Sequence, residues 1–175
     1  FIDCGAYDGD TLRALVDRVG ALKQIAAFEP DPAAFAKLQA SVAVRRPAED
    51  LRLFCKGVYS RTATLRFSGT GGAGALGDAG TIDVEVVALD DALDGFVPDM
   101  IKMNVEGAEL EALRGAQRMI RGSGPALAIS IYHRPEHLWE IPRLLADMNL
   151  GYRLYLRVYG YQTFDLVAHA VRGDG

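Results

Sequence analysis

At 175 residues, half of them hydrophobic, the chain is long enough to bury a full core, and its length suggests a single domain over 1–175. The net charge of −4, with no long basic run, disfavours nucleic acid as the main partner. No apolar run is long enough to cross a bilayer, so no membrane insertion is expected, and Cys4 and Cys55, both in apolar runs, read as reduced core residues of a cytoplasmic protein.

The chain opens inside a strand, which suggests a segment upstream of Phe1. Phe1-Ile2-Asp3-Cys4 reads as the end of that strand, Gly5 and Gly9 bracket a tight turn, and Leu12, Leu15, Val16 and Val19 then follow helical spacing. A strand that runs through a glycine turn into a helix makes a nucleotide-sized pocket at the strand's carboxyl end, where glycines let a ligand approach backbone. The turn is acidic: Asp3 stands before Gly5, and Asp8 and Asp10 crowd it. Carboxylates repel a pyrophosphate, but they accept hydrogen bonds from hydroxyls and balance a cationic ligand. The pattern therefore favours S-adenosylmethionine, which carries a ribose, an ammonium and a sulfonium, over a nicotinamide dinucleotide. An ordinary strand-turn-helix whose acidic residues serve the helix dipole stays open beside it.

Gln24-Ile25-Ala26-Ala27-Phe28-Glu29-Pro30 reads as a second strand ending in an acid. Asp31 is the expected N-cap of the next helix, Pro32 takes its first position, and Phe35, Leu38 and Val42 form its inward stripe. An acid roughly 20 residues past the glycine turn sits where such folds grip ribose hydroxyls, so Glu29 with Pro30 is placed in the cofactor site, with simple helix capping as the alternative. Leu51 to Val58 is expected to be a third strand, with Lys56, Gly57 and Val58 on the adenine side. Thr62 to Phe67 and Thr81 to Val87 alternate as half-exposed strands. The glycine-rich stretch between them, Ser68 to Gly80, reads as a mobile hairpin tip; no Gly-Lys-Ser/Thr follows it, which disfavours a phosphate loop.

Leu89 to Leu93 is a short turn or helix start. In Ile101-Lys102-Met103-Asn104-Val105-Glu106, apolar and polar residues alternate, which predicts one polar strand face with Asn104 and Glu106 toward the pocket and Lys102 structural. Gly107 permits a turn into a helix expected over Ala108 to Ile120, with Leu110, Leu113, Ala116 and Ile120 inward and Glu106 and Glu109 favoured at its start. Pro125 to Tyr132 is an apolar strand ending at His133, and a helix from Pro135 turns Leu138, Ile141, Leu144 and Leu145 inward. Tyr152 to Tyr159 and Thr163 to Ala170 close the sheet as an antiparallel pair joined through Gly160-Tyr161-Gln162. His133 and His137 have metal-ligand spacing, but Pro135 between them starts the helix there, so no metal is assigned. His133 at a strand end suits a general base for an acceptor hydroxyl, or equally a polar helix-entry residue. Arg157 with Tyr155, Tyr159 and Tyr161 either lines an acceptor or decorates the sheet.

Ile2-Asp3-Cys4-Gly5-Ala6-Tyr7-Asp8-Gly9, Ala27-Phe28-Glu29-Pro30, Leu89-Asp90-Asp91, Ile101-Lys102-Met103-Asn104-Val105-Glu106-Gly107-Ala108-Glu109 and Leu113-Arg114-Gly115-Ala116 together resemble, in order and spacing, the FkbM-type methyltransferases over nearly the whole chain. The resemblance implies an α/β, Rossmann-like class I methyltransferase fold: a mostly parallel central sheet with helices on both faces, here with an inserted β-hairpin and a C-terminal antiparallel strand pair. It implies S-adenosyl-L-methionine as cofactor, held by Asp3, Gly5, Gly9 and Glu29, and methylation of a hydroxyl on a sugar or secondary metabolite. The family usually has Asp where this chain has Asn104, and an amide is neither a carboxylate base nor a good metal ligand, although it can orient. Together with the turn residues Ala6, Tyr7 and Asp8, the candidate cofactor set is Asp3, Gly5 to Gly9, Glu29, Pro30, Lys56, Gly57, Val58 and Asn104. The candidate catalytic set is His133 as base, Glu106 as runner-up and Asn104 as orienter. A non-catalytic cofactor-binding module and, less favoured, a nicotinamide oxidoreductase are the alternatives. The partner expected is a small-molecule or saccharide acceptor, and self-association is left open.

Overall fold

The computed structural model describes residues 1–68, 75–76, 82–160 and 165–173. The chain begins with β1 (Ile2–Cys4), α1 (Asp10–Val19), β2 (Leu22–Phe28), α2 (Pro32–Arg45) and β3 (Ala48–Phe54). Three parallel strands joined by helices result: Ile2 faces Ala26 of β2, and Ala27 faces Leu53 of β3. The second helix starts as its sequence predicts, with Asp31 accepting from the amides of Ala33 at 2.7 Å and Ala34 at 3.0 Å and Pro32 at the first turn.

The expected strand Leu51–Val58 breaks in two. β3 stops at Phe54, and Gly57–Val58 forms β4, which pairs not with the main sheet but with β7 (Ile82–Val87). The break turns Cys55 outward, so only Cys4 is the buried core cysteine the sequence suggested, and both thiols are free. The inserted hairpin is present: β5 (Ala63–Ser68) runs antiparallel to β7, and β6 (Ala75–Leu76) adds to its edge, giving the order β4-β7-β5-β6. The rest of the glycine-rich tip, 69–74 and 77–81, lies outside the described residues.

Next come α3 (Leu89–Ala92), β8 (Met100–Met103), α4 (Glu109–Arg114), α5 (Gln117–Ser123), β9 (Ala126–Ser130), α6 (His137–Asp147), β10 (Tyr152–Val158) and β11 (Leu166–Arg172). Among the described residues the main sheet has seven strands in the order β10-β11-β9-β8-β1-β2-β3. β8 pairs parallel with β1 and β9, and β11 pairs antiparallel with both β9 and β10. The C-terminal antiparallel pair is therefore present, although Tyr161 and Gln162 of its expected turn lie outside the described residues.

Alternation along the strands divides the core. Ile2, Cys4, Ile101, Met103, Leu127 and Ile129 pack toward α4, α5 and α6 through Leu113, Ile120, Ile141 and Leu145. Ile25 and Ala27 point the other way, onto Leu12 of α1 and Leu38 and Val42 of α2. Helices thus cover both faces, and Leu138, expected inward, is 46% exposed at the start of α6. The single helix expected over 108–120 is two, because the chain breaks at Gly115-Ala116. A Cβ on Gly115 would stand 2.1 Å from the Tyr59 carbonyl oxygen, so the backbone of the 59–60 turn occupies the space of a side chain there. The second piece is capped from a distance: the Asp90 carboxylate accepts from Arg118 N and Met119 N, both at 2.8 Å, which explains the acid in Leu89-Asp90-Asp91.

Candidate active site

The carboxyl ends of β1, β2, β3 and β8 meet at one rim, and the turn after β1 lies across it. Gly5 N and Ala6 N both donate to the Phe28 carbonyl at 3.0 Å, and Gly9 N donates to Ala6 O at 2.8 Å, closing the loop onto the end of β2. Gly5 has φ +78, and a Cβ there would lie 1.9 Å from the Asn104 carbonyl oxygen. The positive φ and the close passage of the chain after β8 both demand glycine here, so a Cβ would forbid the turn. Gly9 has φ +84, and a Cβ there would lie 3.1 Å from Leu38 of α2. Tyr7 also has a positive φ of 49, and the Lys37 ammonium sits 5.9 Å from its ring centre.

Two buried acids organise this half of the rim. Glu29, 7% exposed, accepts from Tyr7 N at 2.8 Å and from Asp31 N at 2.9 Å, one on each carboxylate oxygen. It therefore ties the glycine turn to the head of α2, and burial pushes its carboxyl above the usual range while these two amides pull it down. Asp3 is fully buried beneath the turn and pairs with Lys102 at 2.9 Å; Lys102 also donates to Gly5 O at 2.6 Å. Burial raises the Asp3 carboxyl, and the ammonium works against it. Lys102 is structural, as the sequence suggested, and Asp3 shapes the turn from below. Asp8 is similarly engaged: its side chain accepts from Asp10 N at 3.1 Å and pairs with Arg13 at 3.1 Å, whose guanidinium also reaches Ser41 on α2.

Of the residues placed on the adenine side, Lys56 pairs with Glu85 at 2.8 Å, while Gly57 and Val58 are buried in β4. Pro30 follows Glu29 at the rim, and the exposed Cys55, which the sequence placed in the core, feels the charges of Glu29 and Asp31. Asn104 and Glu106 do not continue a strand face: β8 ends at Met103, and both lie in the following turn, Glu106 with φ 54. Asn104 N donates to Cys4 O at 3.0 Å, its side chain meets the Tyr132 phenol, and its Oδ1 has no hydrogen-bond partner among the described residues. Tyr132 itself is pushed up to about 12, by burial first and by Glu106 next, so it keeps its proton.

The opposite half of the rim holds a chain of alternating acids and imidazoles. His133 lies in the turn after β9, not at the strand's last residue, with Nδ1 2.8 Å from Glu109 and Nε2 3.4 Å from Glu106. The fully buried Glu109 also approaches His137 Nδ1 at 3.3 Å and accepts from Val105 N at 2.9 Å. Despite burial, the two imidazoles hold Glu109 down to about 2. Burial alone would lower His133, but the two carboxylates raise it to about 9, so at neutral pH it is an imidazolium. A protonated ring has no lone pair to take a second proton. The sequence reading missed Glu109 as the hub, taking it for a helix-start charge; the four-residue spacing of His133 and His137 was the available signal. Among the described residues no cluster of potential metal ligands qualifies as a metal site.

A family model described as the methyltransferase FkbM domain matches residues 3–163. The structure is similar to that of the methyltransferase FkbM from Methylobacillus flagellatus KT, with a TM-score of 0.81 and 26% identity over 97% of this chain. The chain spans only 42% of that relative's length. The fold is also similar to an rRNA methylase from Streptococcus thermophilus (TM-score 0.55, 16% identity, 98% of this chain and 86% of that one). It is similar as well to Aeropyrum pernix fibrillarin with natively bound S-adenosyl-L-methionine (TM-score 0.55, 16% identity, 97% of this chain and 64% of that one). No curated protein matches. Among the described residues, no helix is long and apolar enough to cross a membrane.

Proposed function

The chain belongs to the FkbM methyltransferase family, and from that premise we propose that it uses S-adenosylmethionine to methylate a hydroxyl on a saccharide or small metabolite. The observation that carries this reading is Glu29. Its carboxylate is buried at the tip of β2 and fixed by one amide on each oxygen. Each oxygen keeps a further lone-pair direction, which suits the two adjacent hydroxyls of a ribose. The residues present fit the cofactor in other respects. The cations anchored in these turns already face carboxylates, Lys102 with Asp3, Arg13 with Asp8 and Lys56 with Glu85, so they do not draw a phosphate. The free Asn104 Oδ1 is an acceptor for the ammonium of the methionine moiety. The 5–9 turn, with Tyr7 beside it, would hold the nucleoside between strands, and Cys55 and Lys56 would border the base.

When bound, the cofactor supplies a sulfonium methyl that is already activated. What remains for the protein is to hold the acceptor oxygen in line and to receive its proton. Glu106 is the group that receives it, since its side chain is partly open to solvent and faces the His133 imidazolium at 3.4 Å. His133 then acts as a positioning residue, clamped by Glu109 and holding the Glu106 carboxylate in place. Asn104 orients, and its amide in place of an acid leaves binding intact. The test is methyl transfer to a panel of hydroxylated acceptors followed by mass spectrometry. Glu106→Gln should lower turnover on the order of 100-fold with unchanged cofactor affinity. Turnover equal to wild type would remove Glu106 from the mechanism, and cofactor binding without transfer to any acceptor would leave a non-catalytic binding module.

A further inference from the structure

The main sheet ends in two edges of different chemistry. β3, at one end, carries Glu49, Asp50 and Arg52, with Asp50 and Arg52 paired at 2.9 Å, the kind of charged border that keeps a strand from recruiting another. β10, at the other end, has a neighbour on one side only among the described residues, and Arg153 to Val158 are all exposed. Leu156 is 58% exposed and Tyr155 53%. No proline, glycine or acid interrupts Tyr152 to Tyr159. We propose that β10 pairs antiparallel with β10 of a second copy of this chain, about a two-fold axis at Leu156, so that two sheets join into one.

The backbone is set for this pairing. Tyr159 N donates to Asp165 O at 3.1 Å, and Arg157, Tyr155 and Arg153 face Val167, His169 and Val171 in the same phase of the ladder. Alternate residues of an antiparallel strand turn their amides and carbonyls the other way, so those of Leu154, Leu156 and Val158 point out of the open edge. With Leu156 opposite the copy's Leu156, these three residues supply a continuous ladder.

The side chains choose the partner and the register, because opposed residues share a face of the sheet. About Leu156, Leu154 meets the copy's Val158 and Leu156 meets itself, an apolar row on one face. On the other face Arg153 meets the copy's Tyr159 and Tyr155 meets the copy's Arg157, so every guanidinium lies against a tyrosine ring. Arg157 already does this within the chain, 5.3 Å from the Tyr159 ring centre. An axis at Tyr155 would set Arg153 against the copy's Arg157, like charge on like. An axis at Leu154 would leave Arg157 and Tyr159 opposite residues that precede β10. The stretch Arg153 to Tyr159 is thus complementary to its own reverse. Since β10 runs parallel to β9, both being antiparallel to β11, the candidate sites of the two copies would open at opposite ends of the joined sheet. The pairing therefore stands apart from the cofactor reading.

Sedimentation equilibrium of the full chain tests it. The mass should rise from monomer to dimer between about 5 and 500 μM. Leu156→Lys puts two ammonium groups on the axis and should weaken the dimer at least about tenfold. Val44→Lys, at an exposed site on α2, should leave it unchanged. Tyr155→Glu reads the register: about Leu156 it faces the copy's Arg157 and the dimer persists, whereas about Tyr155 it would face itself and the dimer would be lost. Thermal unfolding confirms that each variant is folded. A monomer at every concentration, species that keep growing beyond the dimer, an undiminished Leu156→Lys dimer or an equal loss with Val44→Lys would overturn the pairing. Loss of the dimer in folded Tyr155→Glu would overturn the register.

Discussion

At the tips of β1 and β2 the buried carboxylate of Glu29 is held by two main-chain amides, whereas at the tips of β8 and β9 that of Glu109 is held by two imidazoles and one amide. The amides of the first arrangement do not titrate, so its geometry follows from the path of the backbone and changes only where Glu29 itself takes up a proton. The second depends on a proton that His133 carries, so its geometry follows from side chains that titrate together. A ribose, whose hydroxyls stay neutral, suits the first; a reaction that must dispose of a proton suits the second.

The backbone-held half is broken most severely at Gly5. Gly5→Ala places a methyl on the Asn104 carbonyl in a conformation unfavourable to any L side chain, and the expected cost is more than about 3 kcal/mol. Urea unfolding should show loss of the cooperative transition or a large shift of its midpoint. A wild-type curve would mean that the turn is not packed against the chain after β8. The side-chain-held half is broken at its hub. Glu109→Gln leaves the His133 imidazolium with Glu106 alone, at an expected cost of about 3 kcal/mol. By NMR titration His133 should then ionise well below about 9, and an unchanged midpoint would show that Glu109 does not set it.

Much of this contrast was legible in the sequence, for local reasons. Strand, glycine turn and helix alternate with clear periodicity, and Asp31-Pro32 marks a helix start by chemistry that acts within three residues. What was not legible depends on partners distant in the chain. The helix break at Gly115 exists because the Tyr59 carbonyl occupies its side-chain space, and β4 leaves the main sheet because β7 offers it an edge. Glu29 and Glu106 were singled out from their positions at strand ends, but the protonated state of His133 was not. It comes from Glu106 and Glu109 converging on one ring, and spacing along a chain does not report that.

A milder perturbation separates the halves without mutation. His133 is raised to about 9 from 6.5, so its stabilising contribution is complete below about pH 6.5 and is lost as pH rises through about 9. Glu109 is lowered from 4.5 to about 2, so its contribution is complete above about pH 4.5 and is lost as pH falls through about 2. Denaturation midpoints should therefore decline between pH 7 and pH 10 in wild type and decline less in His133→Gln. Parallel curves for the two proteins would place the alkaline loss elsewhere.

Isothermal titration of the folded protein with S-adenosylmethionine, repeated on Glu29→Gln, bears most directly on the rim as a cofactor site. A saturable heat in wild type, with affinity lower by at least about tenfold in the variant and an intact fold, is the predicted result. No heat at millimolar cofactor, or equal affinity in both proteins, would contradict it.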